Sequence, residues 1–317
     1  MSIERSYEAG RNLSHGHAGQ PFRQTLAEKR AQIEERGNLD HATIAEQLDI
    51  LNQLAEFPFG RFLLQNQGWN GFWTDFVMEH PAHGRKSGTA PDGRVLTDLE
   101  LRLLDTFPMV LATQERSRHF AAAIQDHIVD GNILASVPCG LMRDLLGRDF
   151  SAVSDIRLVG IDIDEESLSK ARRLAAGYNL PASVTFHKGD AWELGYRGTF
   201  DLIASNGLNT YEPDDERVTE LYRGFFSALK PGGILVTSFL TPPPEASPAS
   251  EWNINAIDPE ALRLQRIVFA DIVGVSFQCY RNSSTTRRQL REAGFLAADV
   301  VWDRARIYPA VIAGKPA

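Results

Sequence analysis

From Gly131 onward the chain alternates short apolar runs with amphipathic stretches, and this alternation constrains the fold more than any other feature. The apolar runs are NILASV, IRLVGID, SVTFHKGD, FDLIASNG and ILVTSFL. Between them lie DEESLSKARRLAAGYN and DDERVTELYRGFFSALK, which repeat apolar residues at helical spacing, the second expected to stop at Pro231-Gly232-Gly233. Runs too short to be buried helices, separated by helical patterns, predict a parallel sheet covered by helices on both faces. In such sheets a ligand lies beyond the carboxyl ends of the strands, where the strand order reverses.

Before Gly131 the patterns are helical. FRQTLAEKRAQIEERG and DHATIAEQLDILNQLAEF repeat apolar residues at three- and four-residue spacing, and FGRFLLQNQGWNGFWTDFVMEH is amphipathic and rich in aromatics. His80 to Arg94 is a Gly/Pro/polar loop. Thr97 with Glu100 forms a capping-box signature for a helix over 98–107, and a further helix is expected to about Val129. The expected domains are residues 1–130, an N-terminal helical region on the substrate side, and 131–317, a ligand-binding domain with a lid insertion at about 241–283.

Composition narrows the function. The 317 residues carry a formal charge of −8 and a pI near 5.5, with no dense Lys/Arg block, so a nucleic-acid partner is not expected. No apolar run approaches the roughly 20 residues of a membrane helix, so no membrane partner is expected. The polar first twenty residues contain no apolar h-region, and a cytoplasmic location is the expectation. Cys139 and Cys279 stand outside any CxxC or Cys/His ligand spacing, so neither a disulfide framework nor a metal is expected.

Four expected strand ends carry residues suited to an adenosyl ligand. The first is Val137-Pro138-Cys139-Gly140; the second is Asp162, 22 residues past Gly140. The third is Asp190-Ala191-Trp192 and the fourth Ser205-Asn206-Gly207-Leu208. A small turn lets backbone approach the ligand, and a carboxylate after the second strand can accept both ribose hydroxyls. An Asp after the third strand can accept from the adenine amino group beside the flat wall of Trp192. Taken singly, Asp162 reads equally well as a helix cap, Asp190 as a turn residue and Trp192 as core; order and spacing carry the reading.

This arrangement resembles the class I methyltransferases that use S-adenosylmethionine (SAM). The resemblance runs from about Gly131 to the C-terminus and includes LKPGGILVTSF and the tail AGFLAADVVWDRARIYPAVIAGKP. It implies a Rossmann-like, doubly wound, seven-stranded α/β sheet, mostly parallel with an antiparallel last strand, beside the N-terminal α-helical region. It also implies that Pro138, Cys139 and Gly140 approach the ligand, Asp162 binds ribose and Ile163 touches adenine. Asp190, Ala191 and Trp192 would surround the base, and Ser205, Asn206 and Gly207 would lie near the sulfonium and the methionine end. S-adenosylhomocysteine would be the product. Against the family's acidic-x-Gly-x-Gly-x-Gly turn, only Gly140 is kept: Ser136 holds the acidic position, Pro138 the first glycine and Met142 the last. We read this as a variant working turn, leading into a helix whose N-terminus faces the methionine carboxylate.

The acceptor is less legible, because in-line methyl transfer needs alignment and dryness rather than an obligatory motif. Tyr211, Tyr280, Asn206, His119 and His127 are the candidates for contact or proton transfer, with Trp69, Phe72, Trp73 and Phe76 as aromatics of the helical half. SNGL replaces the NPPY-like tetrapeptide of enzymes that methylate nucleic-acid bases or protein glutamine, and the paired Asp/Asn of a magnesium-dependent catechol enzyme is missing. The expected partner is a small-molecule acceptor methylated on oxygen, nitrogen or carbon, and a homodimer stays open. Two alternatives stand beside this reading: a SAM-fold scaffold without turnover, and a dinucleotide-dependent oxidoreductase.

Overall fold

The structure, a computed structural model, describes residues 21–317 apart from 179, 181 and 276–278. The first twenty residues, on which the expectation of no secretory leader rests, lie outside the described residues. The described residues form two compact units, one of 21–114 with 253–275 and one of 115–252 with 279–317.

In the second unit seven strands form one sheet: β1 Ile133–Ser136, β2 Ile156–Asp162, β3 Ala182–Lys188, β4 Phe200–Ser205, β5 Leu229–Ser238, β6 Ala298–Val301 and β7 Ala310–Gly314. Their order is β3-β2-β1-β4-β5-β7-β6. β7 runs antiparallel to both its neighbours and the other pairs are parallel, so the doubly wound sheet with an antiparallel last strand is present. The chain leaves β1 toward β3 and returns to place β4 on its other side, which makes the β1/β4 boundary the switch point.

The continuous apolar runs follow from burial on both faces. Ile133, Ala135, Ile203, Leu235 and Val311 pack on one face beneath two helices, Asp215–Ala228 and Ser283–Ala293. Leu134, Leu158, Leu202, Ala204 and Val236 pack on the other, beneath the helices Pro108–Gln125 and Glu165–Ala176. Two boundaries differ from expectation. The helix Asp215–Ala228 stops before Pro231-Gly232-Gly233, because β5 already begins at Leu229, pairs there with Phe200 and bulges before Ile234 pairs with Leu202. The helix Pro108–Gln125 ends short of Val129, and His127 lies beyond it.

The first unit is helical, as its periodicity requires. In chain order its helices are α1 Phe22–Arg36, α2 Ile44–Leu54, α3 Pro58–Asn66, α4 Gly71–Glu79, α5 Gly84–Ser87 and α6 Asp98–Thr106, before α7 Pro108–Gln125 crosses into the second unit. The single aromatic-rich pattern is two helices, parted where Gln67 takes a left-handed conformation (φ 53°). Thr97 caps α6 by accepting from Glu100 N–H, but the buried Glu100 carboxylate pairs with Arg94 at 2.7 and 2.9 Å rather than returning to the cap.

The units divide at Gln114/Glu115, where the expected domains divided at 130/131, and 253–275 of the expected lid insertion belong to the helical unit. The reasons are specific contacts. Gln265 accepts from Met109 N–H at 2.7 Å, Arg263 pairs with Glu46 at 2.8 Å, and His41 meets Asp271 at 2.8 Å. The aromatics of this unit also pack on one another: Trp73 stacks on Phe59 at 4.9 Å, and Trp69 meets Phe269 edge-on at 5.7 Å. Phe72 alone of that set is about half exposed, at 49%. No helix among the described residues is long and apolar enough to cross a membrane.

Candidate functional site

The carboxyl edge of the sheet gathers the expected residues within the second unit. After β1 the backbone is stitched to both neighbouring strands: Val137 N–H donates to Ala204 C=O at 2.8 Å and Cys139 N–H to Ile161 C=O at 2.9 Å. Gly140 then turns through φ +49°, and its N–H donates to Asp162 Oδ2 at 2.9 Å. Met142, standing where the family has its last glycine, is itself left-handed at φ 58° and almost wholly buried. For an L-residue that conformation costs about 1–2 kcal/mol, which burial of the methionine side chain offsets. The turn thus keeps glycine-like backbone with only one of the glycines. The helix expected after it, with its N-terminus on the methionine carboxylate, is only a single turn, α8 Arg143–Leu146, too short to offer an N-terminal anion site.

The acid missing at Ser136 is supplied in space by Asp144. Ser136 Oγ donates to Asp144 Oδ2 at 2.8 Å, and burial pushes the carboxyl up to about 6 against the opposing pull of Ser136, the Leu145 N–H and Arg148. Reading the turn position by position missed this, because the partner is eight residues on; an unpaired Asp inside an apolar segment was the available signal.

Asp162 closes β2 and is 7% exposed. Its Oδ2 accepts from Gly140 N–H and its Oδ1 from Asp164 N–H at 3.0 Å. Burial raises its pKa, while these two N–H groups hold it down. Capping of the next helix, α9 Glu165–Ala176, falls to Asp164, which accepts from Glu166 and Ser167 N–H. Asp162 is therefore a strand-end carboxylate rather than a cap. Ile163 beside it leaves 40% of its surface open.

At the end of β3, Asp190 Oδ1 accepts from Trp192 N–H at 2.9 Å, and Ala191 is buried. Trp192, expected as a flat wall for the base or as core, is anchored at its indole nitrogen. Its Nε1 donates to Arg217 C=O at 2.9 Å, Arg217 lies over the ring at 5.3 Å, and the ring packs against the core under α10 Asp215–Ala228. Those contacts give Trp192 a packing role.

The end of β4 is different again. Ser205 is buried, and the buried Oδ1 of Asn206 has no hydrogen-bond partner among the described residues. Gly207 sits at φ +82°, and a Cβ there would meet Tyr308 Oη at 2.5 Å and Arg116 Nη1 at 3.6 Å. A left-handed turn and this close approach together require glycine. The following turn, Leu208–Tyr211, is held by Arg281, whose guanidinium donates to Asn209 C=O, Glu212 C=O and Asp215 at 2.8, 2.6 and 2.8 Å. Tyr211 keeps 40% of its surface exposed, yet its phenol is enclosed, and burial pushes it up to about 12 with Tyr308 adding and Arg116 opposing. Tyr280 pairs alongside Leu240 just past β5, and burial likewise raises its phenol. His119, on α7, has a buried Nδ1 without a hydrogen-bond partner among the described residues. His127 does not join this edge: its Nδ1 faces Ala123 C=O at 3.1 Å and its own carbonyl accepts from Asn132, at the amino end of β1.

Arg116, also on α7, escaped the sequence reading altogether. It is 3% exposed and lies 3.6 Å from the centre of the Tyr308 ring. A helical arginine normally reads as a solvated face, so pattern gave no signal for it. Among the described residues no group of His, Cys, Asp or Glu side chains is arranged to hold a metal ion.

Comparison with known proteins supplies the rest. Residues 140–233 match a family model described as a methyltransferase domain. Over 146 residues the chain is 30% identical to an erythromycin 3''-O-methyltransferase of Saccharopolyspora erythraea, covering 45% of this chain and 44% of that protein. Over 130 residues it is 26% identical to a sterol 24-C-methyltransferase of Saccharomyces cerevisiae, covering 41% of this chain and 32% of that protein. The chain therefore spans less than half the length of either curated relative. A solved structure from Bordetella parapertussis, described as a possible exported protein, matches over 100% of both chains at 45% identity and a TM-score of 0.86.

Proposed function

Since residues 140–233 match a methyltransferase-domain model and the sheet has the doubly wound order with an antiparallel last strand, we propose that the chain is a class I, Rossmann-like methyltransferase that binds SAM along the carboxyl edge and transfers its methyl group to a small-molecule acceptor. The observation that carries this reading is the Asp162 carboxylate at the end of β2. Each of its oxygens accepts one backbone N–H, and a carboxylate oxygen offers two lone-pair sites, so acceptor capacity remains for both ribose hydroxyls. Ile163 offers an exposed apolar contact for adenine, and Asp190 lies beyond β3 to receive its amino group. The Pro138–Gly140 turn and the Ser205–Gly207 turn flank the switch point, where the methionine portion would lie.

The sulfonium of SAM supplies a methyl group that is already electrophilic. What remains for the chain is to hold the acceptor atom in line at about 3 Å and to keep water out. Asn206 Oδ1, buried and unpartnered, is suited to orient an acceptor hydroxyl or amine, and His119 Nδ1 is suited to take a proton where one must leave. Tyr211 and Tyr280 have phenols raised by burial; they stay protonated at neutral pH and would act as hydrogen-bond donors rather than bases.

Calorimetric titration with SAM, S-adenosylhomocysteine and NADH tests the reading. Binding of the two adenosyl sulfur ligands without NADH is the expected outcome; NADH binding alone would replace the methyltransferase with the oxidoreductase alternative.

A further inference from the structure

Arg116 is the strongest unexplained group in the second unit. Its side chain is 3% exposed. Among the described residues Nε and Nη1, both buried, have no hydrogen-bond partner, and no carboxylate pairs with the guanidinium. A permanently charged group in that condition is costly to bury, so its retention needs a compensating anion. One face of the guanidinium is covered by the Tyr308 ring at 3.6 Å. Stacking of that kind fixes the plane and leaves the N–H edge to donate.

The location says which ligand the edge serves. Nη1 lies against Gly207, just past β4, and Tyr308 stands two residues before β7, whose Ala310 pairs with Ser238 at the end of β5. The ribose carboxylate, Asp162, ends β2, and β1 intervenes between β2 and β4. The guanidinium therefore lies on the far side of the switch point from the nucleoside, where the acceptor must approach. The Tyr211 phenol feels both Arg116 and Tyr308, which brings two hydroxyl donors to the same charge. His119, three residues along α7 and so on the same helical face, presents its own unpartnered Nδ1.

We propose that Arg116, stacked on Tyr308, anchors a carboxylate carried by the methyl acceptor, so that the acceptor is an organic acid. This rests on the methyltransferase reading given above. A planar guanidinium edge matches the two oxygens of a carboxylate and makes charge-assisted bonds to both. The anion neutralises the buried charge, and Tyr211 and Tyr308 supply further donors around it. Arg116 thereby selects acids over their neutral analogues.

The test uses benzoate, 4-hydroxybenzoate and hexanoate, each beside its carboxamide, titrated into the full-length protein with and without S-adenosylhomocysteine and followed by ligand-observed NMR. At least one acid should bind the wild type while its amide does not. Arg116→Gln should weaken that acid by about tenfold or more, the scale of a lost charge-assisted bond, and leave S-adenosylhomocysteine affinity within about twofold. Arg116→Lys, which keeps the charge and loses the fork, should fall between the two; it also serves if the glutamine variant fails to fold.

Three results would overturn the proposal: no acid binds the wild type; acids bind the variants as they bind the wild type; or Arg116→Gln loses S-adenosylhomocysteine affinity while 5'-methylthioadenosine, which lacks the amino acid end, binds unchanged. The last would assign the guanidinium to the cofactor's own carboxylate. Arg116-dependent acid binding by a wild type that binds no S-adenosylhomocysteine would leave the anion site standing and remove the methyltransferase reading instead.

Discussion

The two halves of the sheet's carboxyl edge are built on opposite principles. At the β1/β2 half, polar groups are satisfied by the chain itself: Asp162 accepts from Gly140 and Asp164 N–H, Asp144 accepts from Ser136, and the turn is stitched to both neighbouring strands. At the β4/β5 half, Asn206 Oδ1, Ser238 Oγ and two guanidinium nitrogens of Arg116 are buried without hydrogen-bond partners among the described residues, as is His119 Nδ1 on the same helix as Arg116. Buried polar groups are normally paired, so the second half carries a standing penalty that the first does not. A rigid, self-satisfied half suits a ligand that never varies. A half with unspent donors and acceptors suits the partner that distinguishes one enzyme from another.

Substitutions can break that contrast. The largest effect is expected from Gly207→Val, which forces a β-branched side chain into φ +82° and against Tyr308 Oη. A loss of roughly 2–4 kcal/mol in unfolding free energy is expected from strain and overpacking together, and urea denaturation measures it. An unchanged midpoint would mean that the Tyr308–Arg116 arrangement is not packed as described.

Next comes Asp162→Ala. Losing the ribose acceptor should weaken S-adenosylhomocysteine by ~1.5–3 kcal/mol, the scale of bonds to a charged group, with calorimetry as the check. Affinity equal to the wild type would remove Asp162 from the ligand and leave it only the task of holding Gly140.

Smallest is Asp144→Asn, which probes whether the β1 half is as settled as its hydrogen bonds suggest. The folded carboxyl titrates at about 6 against an ordinary 3.8, so the fold holds its proton more tightly than the unfolded chain does. Its stabilising contribution is complete below about pH 4 and is lost as pH rises through 6. The neutral amide escapes that loss. The variant should match the wild type near pH 4 and exceed it by about 1–2 kcal/mol near pH 7.5, a figure reduced for screening because the residue is only partly buried. Paired thermal melts at the two pH values would expose a wrong sign.

The same contrast governs what the sequence disclosed. The strands were legible because burial on both faces makes each a continuous apolar run, and Asp162 because strand ends of a parallel sheet sit at predictable places. Asp144 was not, since its contact with Ser136, eight residues back, is made by the tight turn and the one-turn helix between them. Trp192 read as ligand wall or as core, and nothing in the sequence marked that its indole would be anchored to the helix Asp215–Ala228 through Arg217. Arg116 lay hidden because an arginine in a helix is ordinary until its neighbours are known, and those neighbours, Gly207 and Tyr308, come from 91 and 192 residues away. Satisfaction by local backbone leaves a trace in sequence; the absence of a partner leaves none.

A crystal structure with S-adenosylhomocysteine tests the division of the edge most directly. The account predicts both ribose hydroxyls within hydrogen-bond distance of the Asp162 carboxylate, and no atom of the ligand within that distance of the Arg116 guanidinium. A ribose held elsewhere, or the ligand's own carboxylate seated on Arg116, would contradict it.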